Sequence, residues 1–380
     1  MARQQKKKSN HFVPQSYLVR FHSVSERQVG LYNLKSSRTV EIAPIKSQCA
    51  RDCFYTKNPA FEEEFGKLEG IQKQLLAKIV DERYVPETDS PDHHALLNLI
   101  MFQAGRTATS AALQNHLANE FGKAVLRKQL EKDGRDDLLE YLPKLKLSMR
   151  DVVMDSIVQH LTMCPLIGDL EVTLFINESK EDFLTSDHPV ALCNNLPKAN
   201  STGGNVGFAS RGLLVLFPIS PRALIFLSDP EVYKVTRDKR GVAGVGRARD
   251  VVELNLPQCF SADENLYFAA AARVQETLSA FRRRQAALRS PAPVVVETEA
   301  VATESRNGVL LSMRAPNRRM SLPRAAEMRR AAKTEKYVRG DAYVRDPVRR
   351  DVVRARLDKL LKKREQANES AAKKADAATE

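Results

Sequence analysis

The sequence predicts an α+β domain, in which a helical block packs on a mostly antiparallel sheet, followed by a flexible basic C-terminal tail. Apolar residues recur at three- and four-residue spacing across residues 59–164, which is the periodicity of amphipathic helices. Residues 171–227 instead contain short alternating or β-branched runs that are typical of strands. After a linker, residues 315–380 have almost no large apolar side chains, which predicts a segment unable to bury a core of its own.

Three helix starts define the helical block. The first lies near Pro59, where the acidic run 62–64 suits the positive end of a helix dipole. The second is Ser90-Pro91, a capping serine followed by proline at the first helical position, and its apolar pattern predicts one long helix to about Leu130. The third predicted helix runs from Ser148 to the Cys164-Pro165 pair.

Strands are predicted on both sides of this block, and a final helix closes the domain. The N-terminal strands form a hairpin, and the later ones include two adjacent apolar runs around Pro218 to Pro221. The predicted strands are 29–32, 38–42, 171–176, 182–185, 190–193, 213–217 and 223–227. The last core element is predicted to be a helix from Ser261 through Leu278, because Leu266, Ala269 and Val274 recur along it.

The positive charge of the chain is concentrated at its two ends. The formal net charge is +13, but residues 281–380 hold 25 Lys and Arg against 13 Asp and Glu, a net of +12. We therefore divide the chain into a basic leader (1–8), a single α+β domain (9–285), and a linker with a disordered or conditionally helical basic tail (286–380). A basic tail on a nearly neutral domain suggests a polyanionic partner.

Cysteine usage and hydropathy indicate the compartment. The five cysteines are few, odd in number and scattered, which predicts reduced thiols. The longest apolar run, Leu213 to Phe217, is far too short to cross a membrane, and the basic leader is not followed by an apolar signal segment. We expect a cytoplasmic protein without a membrane partner, of undetermined oligomeric state.

The densest candidate for chemistry lies at the start of the domain, at His11-Phe12-Val13-Pro14-Gln15-Ser16-Tyr17-Leu18. Histidine is the side chain whose ordinary pKa lies closest to neutrality, and Pro14 restricts the backbone that orients Gln15. The motif suits proton transfer or phosphate binding. The alternative is that these polar side chains only satisfy buried backbone groups.

Two further candidates carry charge. Asp187 lies at the sharp corner Ser186 to Pro189, where it could act as a general base or metal ligand, or could simply bond the backbone amides of a turn. Arg106 lies within an apolar helix, where an unpaired charge is prohibitively costly. It is expected to pair with Asp187 or Glu69, or to bind a phosphate through two hydrogen bonds.

Cationic clusters mark the end of the domain and the tail. Spaced Lys and Arg residues suit salt-sensitive binding of RNA or DNA with little sequence preference, although they also suit a solvated tail. The residues that we assign to nucleic-acid binding are Arg282, Arg283, Arg284, Arg349, Arg350, Lys362, Lys363 and Arg364.

The ordered motifs resemble a family known only as the domain of unknown function numbered four-two-three-eight. The resemblance covers about residues 10–275 and leaves out the basic tail. It depends on residues 11–18 with Phe21, on Cys53-Phe54-Tyr55 with Glu69, on residues 102–107, on Thr185-Ser186-Asp187 with Pro189-Val190, on residues 218–221, and on Asn255 with Tyr267. It implies that His11, Gln15, Arg106 and Asp187 share one site. Family members more often have asparagine where this chain has His188.

Two functional hypotheses follow. In the first, the protein is a nuclease-like enzyme that hydrolyses phosphodiesters in RNA or DNA, a type of enzyme found in bacterial defence. His11 would then be the acid or base, Arg106 would bind the phosphate, and Asp187 would be a base or a ligand for a divalent metal, with Gln15 in the same catalytic set. In the second, the same residues form a non-enzymatic module that binds nucleic acid or a small anion.

Overall fold

The chain forms a helical block between an N-terminal and a C-terminal group of strands. The computed structural model of the protein describes residues 9–52, 54–55, 59–196, 207–285, 294–303, 306–314, 319–334 and 345. The helices are α1 Gln15–Leu18, α2 Pro59–Asp81, α3 Pro91–Gly105, α4 Ala108–Lys132, α5 Val152–Thr162, α6 Ala248–Ser261, α7 Gln275–Gln285 and α8 Arg330–Thr334. Short 3-10 turns lie at Val19–Phe21, Ile45–Ser47, Asp136–Lys144, Cys164–Ile167 and Ala271–Arg273.

The strands form two principal sheets and three short pairs. They are β1 Ser9–His11, β2 Gln28–Asn33, β3 Arg38–Pro44, β4 Ala50–Asp52, β5 Glu171–Asn177, β6 Thr185–Ser186, β7 Ala191–Asn194, β8 Leu213–Ser220, β9 Ala223–Ser228, β10 Tyr233–Val235, β11 Val242–Val245, β12 Asn265–Phe268, β13 Val294–Thr303, β14 Arg306–Arg314 and β15 Ala326–Met328. The five-stranded sheet has the order β11-β5-β9-β8-β7, and the four-stranded sheet β3-β2-β12-β6. The pairs are β1-β4, β10-β15 and β13-β14. Only the β11-β5 pairing is parallel among the described strands, so the predicted α+β class with a mostly antiparallel sheet is confirmed.

The five-stranded sheet is buried on both faces, which explains its nearly unbroken apolar runs. Alternate residues of β8 and β9 point to opposite faces. One face, with Val215, Phe217 and Ile225, packs against α2 and α3. The other, with Leu214 and Phe226, packs against α6. Each fully buried side chain of this size contributes about 1.5–3 kcal/mol, so the sheet and the helical block stabilise each other.

The predicted long helix from Ser90 is two helices in the structure. α3 ends at Gly105, Arg106 has non-helical angles (φ −86°, ψ 0°), and Thr107 starts α4 by accepting a hydrogen bond from the Ser110 amide (3.2 Å). The apolar pattern continues through this break, which is why periodicity alone predicted one helix. The break is important because it places Arg106 at a helix end.

The predicted helix from Ser261 through Leu278 is wrong. α6 ends at Ser261, and the Asn265–Phe268 segment is the strand β12, which pairs with both β2 and β6. Aromatic residues such as Tyr267 and Phe268 are good strand formers, and the tertiary pairing overrides the helical spacing of the neighbouring alanines. The final helix, α7, starts later, at Gln275.

The domain also includes residues beyond its predicted end at residue 285. β15 pairs with β10, matching Val235 with Ala326 and Tyr233 with Met328, and Met320 is buried in the same core. The prediction of a disordered or conditionally helical tail over 286–380 is therefore wrong for residues 319–334. A few apolar residues suffice here because they complete an existing core and sheet edge. The tail residues 335–344 and 346–380 lie outside the described residues.

Arg345 is held against the domain by many contacts. Its Nε donates to Asp169 (2.9 Å), and its other guanidinium nitrogens donate to the carbonyl oxygens of Leu166, Phe208 and Ser210. Its side chain is 6% exposed. The basic tail is thus attached to the domain at this residue. Within the described parts of the chain, no helix has the length and apolar character needed to span a membrane.

Candidate active site

A small cavity lies where the N-terminal motif meets the helical block. It has a volume of about 180 Å³, and we call it the His11 cavity. Its lining includes three of the four residues predicted from sequence to form a site. The polar and aromatic lining side chains that concern the chemistry are those of His11, Gln15, Tyr55, Phe65, Glu69 and Arg106.

Local structure explains why the motif faces this cavity. β1 pairs with β4, with His11 opposite Ala50, and this fixes the start of the motif. Pro14 is extended (φ −58°, ψ 141°) and leads directly into α1. Gln15 is the first residue of that helix, so its amide comes within 3.5 Å of His11 Nδ1. Proline has no backbone N–H and disfavours helical geometry in the residue before it, so α1 does not extend back through the motif.

The imidazole of His11 has a defined tautomer. Its Nε2 lies 3.0 Å from the carbonyl oxygen of Lys46. Because a carbonyl can only accept, Nε2 must carry the proton, and the neutral ring therefore has its lone pair on Nδ1. Nδ1 is consequently the atom that can accept or return a proton, and the Lys46 carbonyl holds the ring in place, as in other sites where a second group orients a histidine.

Arg106 connects the walls of the cavity. Its Nη2 donates to the His11 carbonyl (2.8 Å) and to Glu69 Oε1 (2.7 Å), and its Nε donates to the Tyr55 hydroxyl (2.7 Å). The Tyr55 hydroxyl in turn donates to the same His11 carbonyl (2.7 Å). Two donors thus fix the main chain of His11. The structure answers the question left open by the sequence, since Arg106 pairs with Glu69.

The charge of Arg106 is unusually enclosed. The residue is 1% exposed, and its guanidinium lies over the rings of Phe102 (4.8 Å) and Tyr55 (5.2 Å). Burial lowers the pKa of Arg106, but Tyr55 and Glu69 raise it more in sum, so the net shift is upward and the group stays charged. Burial also raises the pKa of Tyr55 to about 12. The Nη1 atom of Arg106 is buried and has no hydrogen-bond partner among the described residues.

Asp187 is not one of the residues that line the His11 cavity. Oδ1 accepts from the Asp263 amide (2.9 Å), and Oδ2 accepts from the amides of Glu264 (2.7 Å) and Asn265 (3.0 Å). These contacts hold the turn that leads into β12, which is the structural alternative considered from sequence. Asp187 is therefore removed from the candidate catalytic set. Burial raises its pKa to about 6, against the opposing effect of the three amides.

His188, which follows it, also has a local partner. Its Nδ1 lies 2.7 Å from the hydroxyl of Thr107, the residue that caps α4. The corner that contains Asp187 therefore contacts the residue next to Arg106, although Asp187 itself faces the β12 turn. Arg106 and Asp187 can therefore both belong to the family motifs although only Arg106 lines the cavity.

The predicted nucleic-acid-binding residues are divided by the structure. Arg284 forms a two-fold ion pair with Glu253 (2.6 and 3.0 Å), and Arg282 stacks over the Tyr32 ring (5.2 Å). These two arginines make tertiary contacts and are also exposed, so their assignment to nucleic-acid binding stays a prediction. Arg283 is exposed. Arg349, Arg350, Lys362, Lys363 and Arg364 lie outside the described residues.

Metal-ligand groups are few in the described part of the chain. One cluster, Asp89, His93 and His94, brings three ligand atoms within 4.8 Å of one another at the start of α3, away from the His11 cavity lining. Among its described lining residues, the cavity contains one imidazole and one carboxylate, those of His11 and Glu69. This pair lacks the several oxygen ligands that a catalytic divalent ion normally requires.

Three contributions to the cavity were not assigned a role from sequence. They are the Glu69 carboxylate as a cavity group, the Tyr55 hydroxyl and the Lys46 carbonyl. Tyr55 and Glu69 belong to the motifs on which the family resemblance depends, so their grouping was a usable signal. The Lys46 carbonyl had none, because any residue type supplies a carbonyl.

Comparison with protein families identifies the relationship that these motifs suggested. A family described as "Protein of unknown function (DUF4238)" matches residues 9–272. The chain belongs to this family. The family match contains every described residue of the His11 cavity and ends before the basic tail. No curated protein and no solved structure shows a significant match to the chain.

Proposed function

We propose that the His11 cavity is the active site of an enzyme that cleaves phosphodiester bonds in nucleic acid. The observation that carries this proposal is the convergence of an orientated imidazole, an amide and a buried guanidinium on one small cavity. His11 Nδ1 would transfer the proton. Gln15 and Arg106 would contact the phosphate oxygens.

Arg106 supports phosphate binding through the atom that the fold leaves unused. Its Nε and Nη2 groups hold Tyr55, His11 and Glu69, but Nη1 has no described acceptor. A buried N–H without a partner costs roughly 1–3 kcal/mol, and an anionic oxygen that reached Nη1 on binding would remove that cost. A phosphate is the anion in nucleic acid that meets this requirement.

Arg51 provides a cation beside β1, the strand that carries His11. It is exposed, lies in β4 opposite Asn10, and its guanidinium is 5.6 Å from the Phe12 ring and 5.9 Å from the Phe54 ring. The aromatic rings limit the conformations of this side chain. Arg51 is therefore suited to contact a neighbouring phosphate of a bound strand, while the basic tail recruits the strand from solution.

The second candidate function is a non-enzymatic module that binds nucleic acid or a small anion. The contacts of Arg106 support this second function, because its Nε and Nη2 groups hold the cavity walls together. In that case His11 would matter for binding and not for turnover. The two functions are separated by asking whether any bond is broken.

The test is to incubate the purified full chain with RNA, single-stranded DNA and duplex DNA, with and without a divalent metal, and to compare His11→Gln with the wild type. We expect cleavage by the wild type and a loss of about 100-fold or more in His11→Gln, which is typical for removal of a general acid or base. His22→Gln is the matched control, since His22 is exposed and bonds only the nearby Val19 carbonyl.

One outcome contradicts the enzyme, and a second contradicts the assignment of its active site. If the wild type cleaves none of the substrates but binds them, the binding module is correct. If His11→Gln and His22→Gln cleave at the wild-type rate, an enzyme remains but the His11 cavity is not its active site.

A further inference from the structure

One nitrogen atom of Arg106 contacts both Glu69 and His11. Nη2 of Arg106 donates both to Glu69 Oε1 (2.7 Å) and to the His11 carbonyl (2.8 Å), so these two residues lie within two hydrogen-bond lengths of each other. The other carboxylate oxygen, Oε2, accepts no hydrogen bond from a described residue, and the Glu69 side chain is 30% exposed. The carboxylate of Glu69 and the imidazole of His11, whose Nδ1 has only the long 3.5 Å contact with the Gln15 amide among the described residues, therefore line the same cavity.

The Glu69 carboxylate is suited to accept a proton, and the His11 imidazole is suited to donate one. Glu69 binds Arg106 through Oε1, and its second carboxylate oxygen, Oε2, is suited to accept a proton. His11 already donates through Nε2 to a backbone carbonyl, and when protonated it also carries a proton on Nδ1. The cavity thus contains a base and an acid, which is what an internal phosphoryl-transfer reaction requires.

We infer that the substrate of the His11 cavity is RNA, cleaved by attack of its own 2′-hydroxyl, with Glu69 as general base and His11 as general acid. This inference rests on the proposed function and narrows it. Glu69 removes the 2′-hydroxyl proton as the 2′-oxygen forms a bond to phosphorus. The bond from phosphorus to the 5′-oxygen breaks, and His11 Nδ1–H gives its proton to that oxygen. The products are a 2′,3′-cyclic phosphate and a free 5′-hydroxyl.

The lining favours RNA over DNA for a chemical reason. DNA has no internal nucleophile, so its hydrolysis requires an activated water, which nucleases commonly obtain with metal ions held by several carboxylates. The described lining of the His11 cavity offers one carboxylate, and that carboxylate is paired with Arg106. RNA supplies the nucleophile itself, so one base and one acid are sufficient.

The size of the cavity predicts what is recognised. A volume of about 180 Å³ corresponds to roughly six water molecules. This accommodates a phosphate and part of the adjoining sugar, and it leaves the bases outside. We therefore expect cleavage with little base preference, guided by the 2′-hydroxyl and the phosphate.

The experiment compares four oligonucleotides of the same sequence in the presence of a chelator: all RNA, all DNA, DNA with one internal ribonucleotide, and RNA with 2′-O-methyl groups throughout. We expect the wild-type chain to cleave the RNA, to cleave the mixed strand only after its ribonucleotide, and to leave the other two intact. Mass spectrometry is expected to find 2′,3′-cyclic phosphate and 5′-hydroxyl ends.

A pair of variants on α2 tests the assignment of the base. Glu69→Gln keeps an oxygen that can accept from Arg106 and is expected to lower the RNA cleavage rate by about 100-fold or more. Glu63→Gln is the control, because Glu63 is exposed on the same helix and pairs with Lys67. The substrate comparison needs only the wild type, so it stays decisive if Glu69→Gln does not fold.

The outcomes separate the two levels of the proposal. Equal cleavage of DNA or of 2′-O-methyl RNA, 5′-phosphate products, or complete loss of activity in chelator overturns the RNA inference and leaves a nuclease. Wild-type activity in Glu69→Gln overturns its role as base. If no strand is cleaved under any condition, the proposed function itself is wrong.

Discussion

Arg106 shows how one side chain can serve both stability and chemistry. It carries a positive charge at 1% exposure and holds a tyrosine, a carboxylate and a main-chain carbonyl in fixed positions. Removing one member of a buried charge network usually costs more than the network contributes, because the remaining groups lose their partners.

Arg106→Met is expected to lower the free energy of unfolding by roughly 3 kcal/mol or more, since it leaves Glu69 and the Tyr55 hydroxyl without their donor. Urea denaturation followed by circular dichroism measures this loss. Arg127→Met, at an exposed position of α4, is the control and is expected to stay within about 0.5 kcal/mol of the wild type. A loss below about 1 kcal/mol for Arg106→Met would mean that the guanidinium is not the central contact of the cavity.

Asp187 gives a prediction for pH dependence. Its folded-state pKa is raised to about 6 from the ordinary 3.8. A group whose pKa is raised on folding stabilises the protein when protonated, so its contribution is complete below about pH 4 and is lost as the pH rises through about 6. The corresponding change is about 3 kcal/mol, because one pKa unit is 1.36 kcal/mol.

The measurement is urea unfolding of the wild type and Asp187→Asn between pH 4 and pH 8. The asparagine cannot titrate, so the stability of the wild type relative to the variant is expected to decrease with rising pH and to level off above about pH 7. A relative stability that increases with pH would show that the amides of residues 263–265 outweigh burial and that the pKa is depressed.

At the residue scale, the sequence predicted the contents of the cavity better than their roles. His11, Gln15 and Arg106 could be found because a buried arginine and a dense polar motif are both unusual. Asp187 was misassigned because a carboxylate that bonds a turn and one that faces a substrate occur in the same Ser-Asp-x-Pro sequence. Only the position of the β12 turn, far along the chain, decides between them.

At the scale of elements, close contacts between strands can require a glycine at a position that belongs to no sequence motif. Gly30 in β2 lies opposite Phe268 in β12, and a Cβ added to Gly30 would lie 2.5 Å from the phenyl ring. No real Cβ contact is so short, so this glycine allows the two strands to pair with the ring packed across them.

Gly30→Ala is expected to lower the free energy of unfolding by about 1–3 kcal/mol, as overpacking does in other cores. Gly70→Ala is the matched control. Gly70 lies within α2 with no atom within 4 Å of its added Cβ, so alanine should raise stability by roughly 0.5–1 kcal/mol through helix propensity. Thermal or urea unfolding of both variants tests this prediction. The change in the free energy of unfolding must be negative for Gly30→Ala and positive for Gly70→Ala.

The helix boundaries show where periodicity is informative and where it is not. The helical block was predictable because α2 and α3 each begin at a proline, α2 repeats apolar residues at helical spacing, and α3 is long and apolar on nearly all sides. The break between α3 and α4 at Arg106 and Thr107 could not be predicted, because both helices are apolar at the junction. β12 was missed because its pairing with β2 depends on residues more than 200 positions away.

At the scale of the whole molecule, the domain is completed by residues that composition assigned to the tail. Low apolar content predicts that a segment cannot fold alone, but it does not predict whether the segment adds to another core. Met320, Ala326 and Ala332 do so, and Arg345 is enclosed by carbonyl groups of the domain.

Two truncations distinguish the attached part of the tail from the remainder. Removal of residues 315–380 is expected to lower the free energy of unfolding by roughly 3 kcal/mol, because it uncovers the core beside β10. Removal of residues 346–380 keeps Arg345 and is expected to change stability by less than about 0.5 kcal/mol, while weakening RNA binding and reducing its salt dependence.

Unfolding in urea and RNA titrations at several salt concentrations measure both effects. An unchanged affinity and salt slope after removal of 346–380 would contradict recruitment of nucleic acid by the tail. Equal stability of the two truncated chains would contradict the contribution of β15.

The pairing of β10 with β15 also has a consequence during synthesis. Val235 leaves the ribosome 91 residues before its partner Ala326. At about 5–20 residues per second, β10 waits roughly 5–20 s with an unpaired edge next to an apolar core. The nascent domain is therefore open to association with other chains during this interval, and translation speed between residues 235 and 326 controls how long that exposure lasts.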